Sequence, residues 1–162
     1  MPGQRTFVSL DGTDFQIFEP SKFDRKWFSH KFLGPGVRYE VGLNIITGDI
    51  VWINGGVPCG EWPDLRLARD SYTSMVNLNE MTVADEGYND RNFFIYNKEI
   101  MARHETVNRR LKQFGVLHQK FRHQRHLHPQ CLHAVANLTQ LMIANGERLY
   151  SLDISIRNSL LF

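Results

Sequence analysis

The sequence has 162 residues, 42% of them apolar and 22% charged, enough to bury one core and short for two domains. Nineteen Lys and Arg against 17 Asp and Glu leave a net charge of +2, so the overall balance speaks for neither a polyanion binder nor an acidic tail. Cys59 and Cys131 lie far apart outside any CxxC pattern, the N-terminus is polar, and no apolar run is long enough to span a bilayer. Disulfide frameworks, zinc knuckles, a signal peptide and a membrane span are therefore not expected, and a soluble protein of a reducing compartment is. The charge is unevenly spread: residues 1–97 carry 9 basic and 13 acidic groups, whereas residues 98–133 carry 8 basic and 2 acidic ones and six of the seven histidines.

In chain order, Phe7, Val8 and Leu10 predict a short buried strand ending at Asp11-Gly12. Val37 to Ile46 and Ile50 to Ile53, rich in β-branched and aromatic residues and joined by Thr47-Gly48-Asp49, predict a hairpin broken by Gly55-Gly56 and Pro58. Pro63 and Asp64 open a helix with Leu65, Ala68, Tyr72 and Val76 on one face. Met81 to Ala84 form another strand that ends in acid, at Asp85. Asn97 caps an amphipathic helix whose stripe is Ile100, His104, Val107, Leu111 and Phe114. Pro129 opens a last helix with Leu132, Val135, Thr139, Met142 and Ile143 inward, stopped by Asn145-Gly146.

Two acids at the ends of neighbouring strands can lie side by side, because ligand sites in such sheets gather at strand ends. Asp11 and Asp85 are those acids, and Glu105 lies one residue past the stripe position His104, at the edge of the helix that faces the sheet. Three converging carboxylates raise one another's pKa, and a hard divalent cation relieves that cost. Two Mg²⁺ or Mn²⁺ ions would suit phosphodiester chemistry. Each acid also has a plainer reading, with Asp11 starting an Asp-Gly turn, Asp85 capping a loop and Glu105 a solvated helix residue. Asp14 reads as a turn residue or as an aid to the metals.

The segments SLDGTD (9–14), GPG (34–36), VADEGY (83–88), ARHETVNRRLKQF (102–114) and AVANLTQ (134–140) resemble, in order, the nuclease domain of PIF/Harbinger-type DDE transposases. The resemblance implies an α/β, RNase H-like mixed sheet flanked by helices over residues 1–146, with 147–162 a peripheral tail. It implies that Asp11, Asp85 and Glu105 are the catalytic acids and the ligands of two Mg²⁺ or Mn²⁺ ions. It further implies cleavage and strand transfer of DNA in a nucleus, with a separate Myb-like DNA-binding protein and further copies of the chain as partners. The DNA-reading region that relatives carry ahead of the nuclease domain is expected to be absent, and the interval from Asp85 to Glu105 is short for the family. Both features support an alternative, a transposon-derived, catalytically silent module that binds DNA or protein. A third reading is a small RNase H-like nuclease of unrelated role.

Arg103, Arg109, Arg110, Lys112 and Arg122, in the basic block, are the expected DNA contacts, since Lys and Arg neutralising phosphates give sequence-independent affinity. The alternative for a charge run is a solvated helix face. The histidines and Cys131 match no zinc-finger spacing.

Overall fold

A computed structural model describes residues 5–153, 155, 156 and 158. Its centre is β1 (Arg5–Gln16), flanked by β3 (Gly34–Asn44) on one edge and β5 (Glu80–Val83) on the other. β3 pairs antiparallel with β1, and its outer edge carries β4 (Ile50–Pro58) and the two-residue β2 (Phe28–Ser29), both antiparallel. β5 runs parallel to β1, and β6 (Phe94–Ile95) runs parallel to β5. The result is a six-stranded mixed sheet with helices on both faces, the arrangement expected of an RNase H-like fold.

The sheet alternation sorts the residues. Odd positions of β1 and β3 face α2 (Lys98–Leu111) and α4 (His128–Ala144), where Phe15, Val37, Tyr39, Val41 and Leu43 pack with Val107, Leu111, Leu132 and Val135. Even positions of β1 face α1 (Asp64–Asp70), where Leu10 packs with Ala68, Tyr72, Ala84 and Phe94. The period of two along the strands and the 3.6-residue stripe of the helices thus meet in two thin cores. The Asn97 side chain accepts from the amides of Glu99 and Ile100 at 3.1 and 3.2 Å, capping α2 as expected. α4 carries Pro129 in its first turn and ends before Gly146 at φ +114.

Three expectations are corrected. β1 does not stop at Asp11-Gly12. Thr13, Asp14 and Phe15 continue it, opposite Tyr39, Arg38 and Val37, because pairing with the long strand β3 gains ladder hydrogen bonds that a turn would forfeit. Gly55 and Gly56 do not break β4 either; at φ +125 and +82 they absorb a register shift against β3, and the strand runs on to Pro58. The segment after α4, expected at the periphery, puts Leu149 and Leu152 into buried clusters, Leu152 with Ile45, Val83 and Ile100. β2, β6 and the four-residue α3 (Gly115–His118) are too short to show a periodicity in sequence.

The facing of α2 and α4 predicts a sharp contrast. Leu111→Ala, on the buried stripe, should cost about 3 kcal/mol, and Leu141→Ala, on the exposed face of α4, no more than about 0.5 kcal/mol, measured by denaturant unfolding.

Candidate functional site

The parallel register that pairs Ser9 with Val83 brings Asp11 of β1 level with Asp85, just beyond the end of β5. Asp11 projects from the face covered by α2, since Ser9, Asp11 and Phe15 alternate onto that side, while Asp85 is exposed in the turn beyond β5, where its carboxylate accepts from the Gly87 amide at 2.9 Å. His104 of α2 meets Ser9 at 2.9 Å through Nε2, and the Lys112 ammonium lies 5.4 Å from the Phe15 ring centre. α2 therefore runs along β1 directly over the row that carries Asp11. Burial pushes the His104 imidazole down to about 3, so it is a neutral partner for the Ser9 hydroxyl.

Asp11 is the perturbed acid of this face. Burial, then the charge of Asp85, raises its carboxyl to about 7, with Asp64 adding to the rise and Lys31 and the Gly12 amide opposing it. A half-buried carboxylate at an exposed one is unfavourable when both are ionised. Hard cations relieve such a pair, and Mg²⁺ characteristically takes one or two carboxylates and fills its remaining positions with water and phosphate oxygen. The donor set of Asp11 and Asp85 fits that chemistry.

Glu105 stands differently. Its side chain is exposed on α2, and the charges that weigh most on Asp11 are Asp85, Lys31 and Asp64. The Glu105 charge bears instead on the Tyr150 phenol, alongside those of Arg103 and Glu99. Among the described residues no group of three His, Cys, Asp or Glu is gathered closely enough to hold a metal ion. The structure thus brings Asp11 and Asp85 together and leaves Glu105 apart from them.

The opposite face of the same strands holds a buried ionic network that the sequence did not announce. Arg38 of β3 grips Asp14 of β1 as a fork, donating from Nε at 2.8 Å and from Nη2 at 2.9 Å, while Nη1 donates to the Trp62 carbonyl at 3.0 Å. The Ser29 hydroxyl donates to Asp14 at 3.2 Å, and Lys31 lies 3.9 Å away. Burial alone would push the Asp14 carboxyl up; the Arg38 fork, Lys31 and Ser29 outweigh it and hold it below the usual carboxylate range. Asp14 is therefore a paired strand residue, not a turn residue. Arg38 Nε also sits 3.3 Å from Asp64, whose carboxyl burial drives upward. Glu40, completely buried beside the Trp52 indole, is pushed up to about 8 by burial and has no hydrogen bond of ordinary geometry to either carboxyl oxygen.

Asp64 couples the two faces. A methyl group built on Gly12 would fall 2.0 Å from the Asp64 Oδ1 and 2.7 Å from its Cγ. Only glycine leaves room for that carboxylate against the strand, next to Asp11 in the chain. The expectation that Asp64 merely starts a helix misses this packing, which depends on residues distant in sequence.

The basic block divides. Arg103 is 3% exposed and donates to the Ile45 carbonyl at 2.5 Å; the amphipathic stripe carries it inward, so it does not belong to an exposed DNA-facing row. Arg110 is half-buried and donates to the Glu147 carbonyl. Lys112 is half-buried, and burial lowers its pKa. Arg109 and Arg122 are exposed, Arg122 with its guanidinium 5.8 Å from the Phe18 ring. His128 is buried, its Nδ1 2.8 Å from the Tyr39 hydroxyl, and the histidines at 118, 123, 126 and 133 are exposed. Among the described residues no helix is long and apolar enough to cross a membrane.

No family model matches the chain. It is similar to the probable transposase for insertion sequence element IS702 of Microchaete diplosiphon, with 27% identity over 150 residues, covering 76% of this chain and 52% of the relative. The chain thus spans about half the length of that relative. The similarity supports a transposase-related origin.

Two measurements check the site's geometry. Gly12→Ala should destabilise by about 2 kcal/mol, and a double-mutant cycle with Asp64→Ala should return a coupling of about 1 kcal/mol or more, because removing the carboxylate removes the clash. Asp11 binds its proton more tightly folded than unfolded, so its contribution to stability falls as pH rises from about 4 to about 7. Asp11→Asn should therefore melt higher than wild type near pH 8, by on the order of 3–6 °C, and lose that advantage near pH 4.

Proposed function

From the transposase likeness as premise, we propose that this chain is the nuclease core of a DDE transposase of the PIF/Harbinger type, cutting DNA phosphodiester bonds and joining the freed 3′-hydroxyl to target DNA. The observation that carries the reading is the pairing of Asp11 with Asp85 at adjacent strands of a mixed sheet, with α2 laid over them.

Asp11 and Asp85 would hold a divalent ion, and Glu105, exposed on the helix that covers β1, would have to be brought to them to complete a second position. Mg²⁺ or Mn²⁺ bound there would supply the charge that activates water or a hydroxyl and stabilises the leaving oxygen. Asp11, whose carboxyl burial and the charge of Asp85 push up to about 7, would have to be ionised to hold such an ion. Lys31, on the turn after β2, places a positive charge within reach of Asp11, where it favours an entering phosphate and offsets the carboxylates. His104 holds α2 on β1 through Ser9. The Asp14–Arg38–Asp64 network fixes the other side of the strand, so that Asp11 is presented on a backbone with little freedom. Arg109 and Arg122, both exposed, are the members of the basic block suited to phosphate contact. A Myb-like DNA-binding partner and self-association belong to the same proposal.

A second reading is favoured by one observation. Glu105 is exposed, and no three-acid group is assembled among the described residues, as suits a transposon-derived module that binds DNA without cutting it.

Calorimetric titration with Mn²⁺ near neutral pH separates the two. For the nuclease reading, wild type binds saturably with proton release, and Asp11→Asn and Asp85→Asn each weaken binding about tenfold or more. Glu105→Gln should weaken it too and abolish Mn²⁺-dependent nicking of supercoiled DNA. Wild type binding no better than Asp11→Asn would sink the nuclease reading and leave the silent module.

A further inference from the structure

The chain between β1 and β3, residues 18–33, meets the chain between α3 and α4, residues 119–126. Their junction lies at the end of β1. There Ile17 pairs with Phe121, and the Phe18 amide donates to the Phe121 carbonyl at 2.8 Å. The two segments carry seven Lys and Arg against two acids, and aromatic residues are interleaved among them.

The side chains are arranged in layers. The Arg125 guanidinium lies 4.4 Å from the Trp27 ring centre, and Lys26 is 5.8 Å from the same ring. Arg122 lies 5.8 Å from the Phe18 ring. Phe18 is nevertheless 54% exposed and Phe23 72%. Cations laid on rings lower the cost of leaving aromatics in water and present flat, charged surfaces outward. Lys31, on the same segment, carries this positive surface up to the carboxylates, since its charge acts on both Asp14 and Asp11.

We propose that this surface is a track for single-stranded DNA, with bases stacked on Phe18 and Phe23 and phosphates met by Arg122, Arg125 and the neighbouring lysines. The choice of DNA rests on the transposase reading; the choice of a single strand rests on the rings. A duplex keeps its bases stacked and offers phosphates alone, which cations bind without exposed phenyl faces. An acidic peptide likewise has no use for the rings. An unpaired strand engages both, which is the pairing of basic groove and stacking platform that such ligands require. Of the basic block read from sequence as a DNA-contacting run, Lys120, Arg122 and Arg125 lie on this surface.

The test is fluorescence anisotropy with a labelled oligo(dT) of about 20 nucleotides, long enough to cover the track. Two double variants are compared with wild type, Phe18→Ala with Phe23→Ala and Arg122→Gln with Arg125→Gln; all four side chains are exposed, and thermal melts confirm folding. Each pair should weaken binding about tenfold or more. The arginine pair should also flatten the slope of log Kd against log salt by about 1.4, as expected for two lost phosphate charges on a single strand. Duplex DNA of the same length should bind more weakly and ignore the phenylalanine pair. Wild type that fails to bind oligo(dT), variants that bind like wild type, or tighter binding of the duplex or of the RNA of the same sequence would each overturn the proposal. Both double variants should bind Mn²⁺ as wild type does, so a failed metal titration and a failed oligonucleotide titration point to different errors.

Discussion

The interaction on which the rest of the structure depends is the fork of Arg38 on Asp14. It joins the two central strands on the face opposite the candidate site, and it is nearly solvent-free: the Asp14 side chain is wholly buried. Removing either partner would strand a charge in the interior at a cost of about 3–5 kcal/mol, although the intact pair adds little net stability. Its value lies in what it ties down. Ser29 and Lys31 bring the inserted segment 18–33 to Asp14, Trp62 accepts from the same guanidinium, and Asp64 rests against both Arg38 and Gly12. The strand that presents Asp11 is held from behind.

That arrangement places carboxylates of contrasting character on one strand. Asp14 is surrounded by donors and cations and stays ionised, while Asp11, three residues earlier on the opposite face, meets burial and a second acid and is pushed to about 7. The difference comes from partners and not from residue type. Charge kept permanently on one face serves architecture, whereas the carboxyl on the other face sits near its titration point at neutral pH. Lys31 contributes to both, acting at the boundary between the buried network and the exposed aromatic and basic surface.

Much of the fold was legible because it rests on local pattern. The Val37–Ile46 and Ile50 strands, the Asn97 cap and the stripe through Ile100, His104, Val107 and Leu111 emerged where expected, as periodicity and capping act within one turn or one strand. Asp11 and Asp85 read as two acids at strand ends; the register of β1 with β5 sets them level, although Asp11 lies within β1 and not at its end. The errors have a common source. Asp-Gly at 11–12 reads as a turn, and only pairing with β3 makes it strand; Arg103 reads as a surface cation, and only the approach of Ile45 makes it buried. Asp64 reads from sequence only as a helix start, because its packing partner Gly12 carries no chemical signature.

The sequence by itself determined the mixed α/β class, the order of the long elements, the inward stripes of the two long helices and the acids worth watching, since each follows from the spacing of residue types along one segment. Tertiary structure alone decided that Arg38 faces Asp14, that Asp64 lies on Gly12, that Glu105 stands apart from Asp11, and that cations lie on Trp27 and Phe18. These are encounters between side chains separated by tens of residues. Their geometry is set by strand register and loop path, and their electrostatics by the water that packing removes.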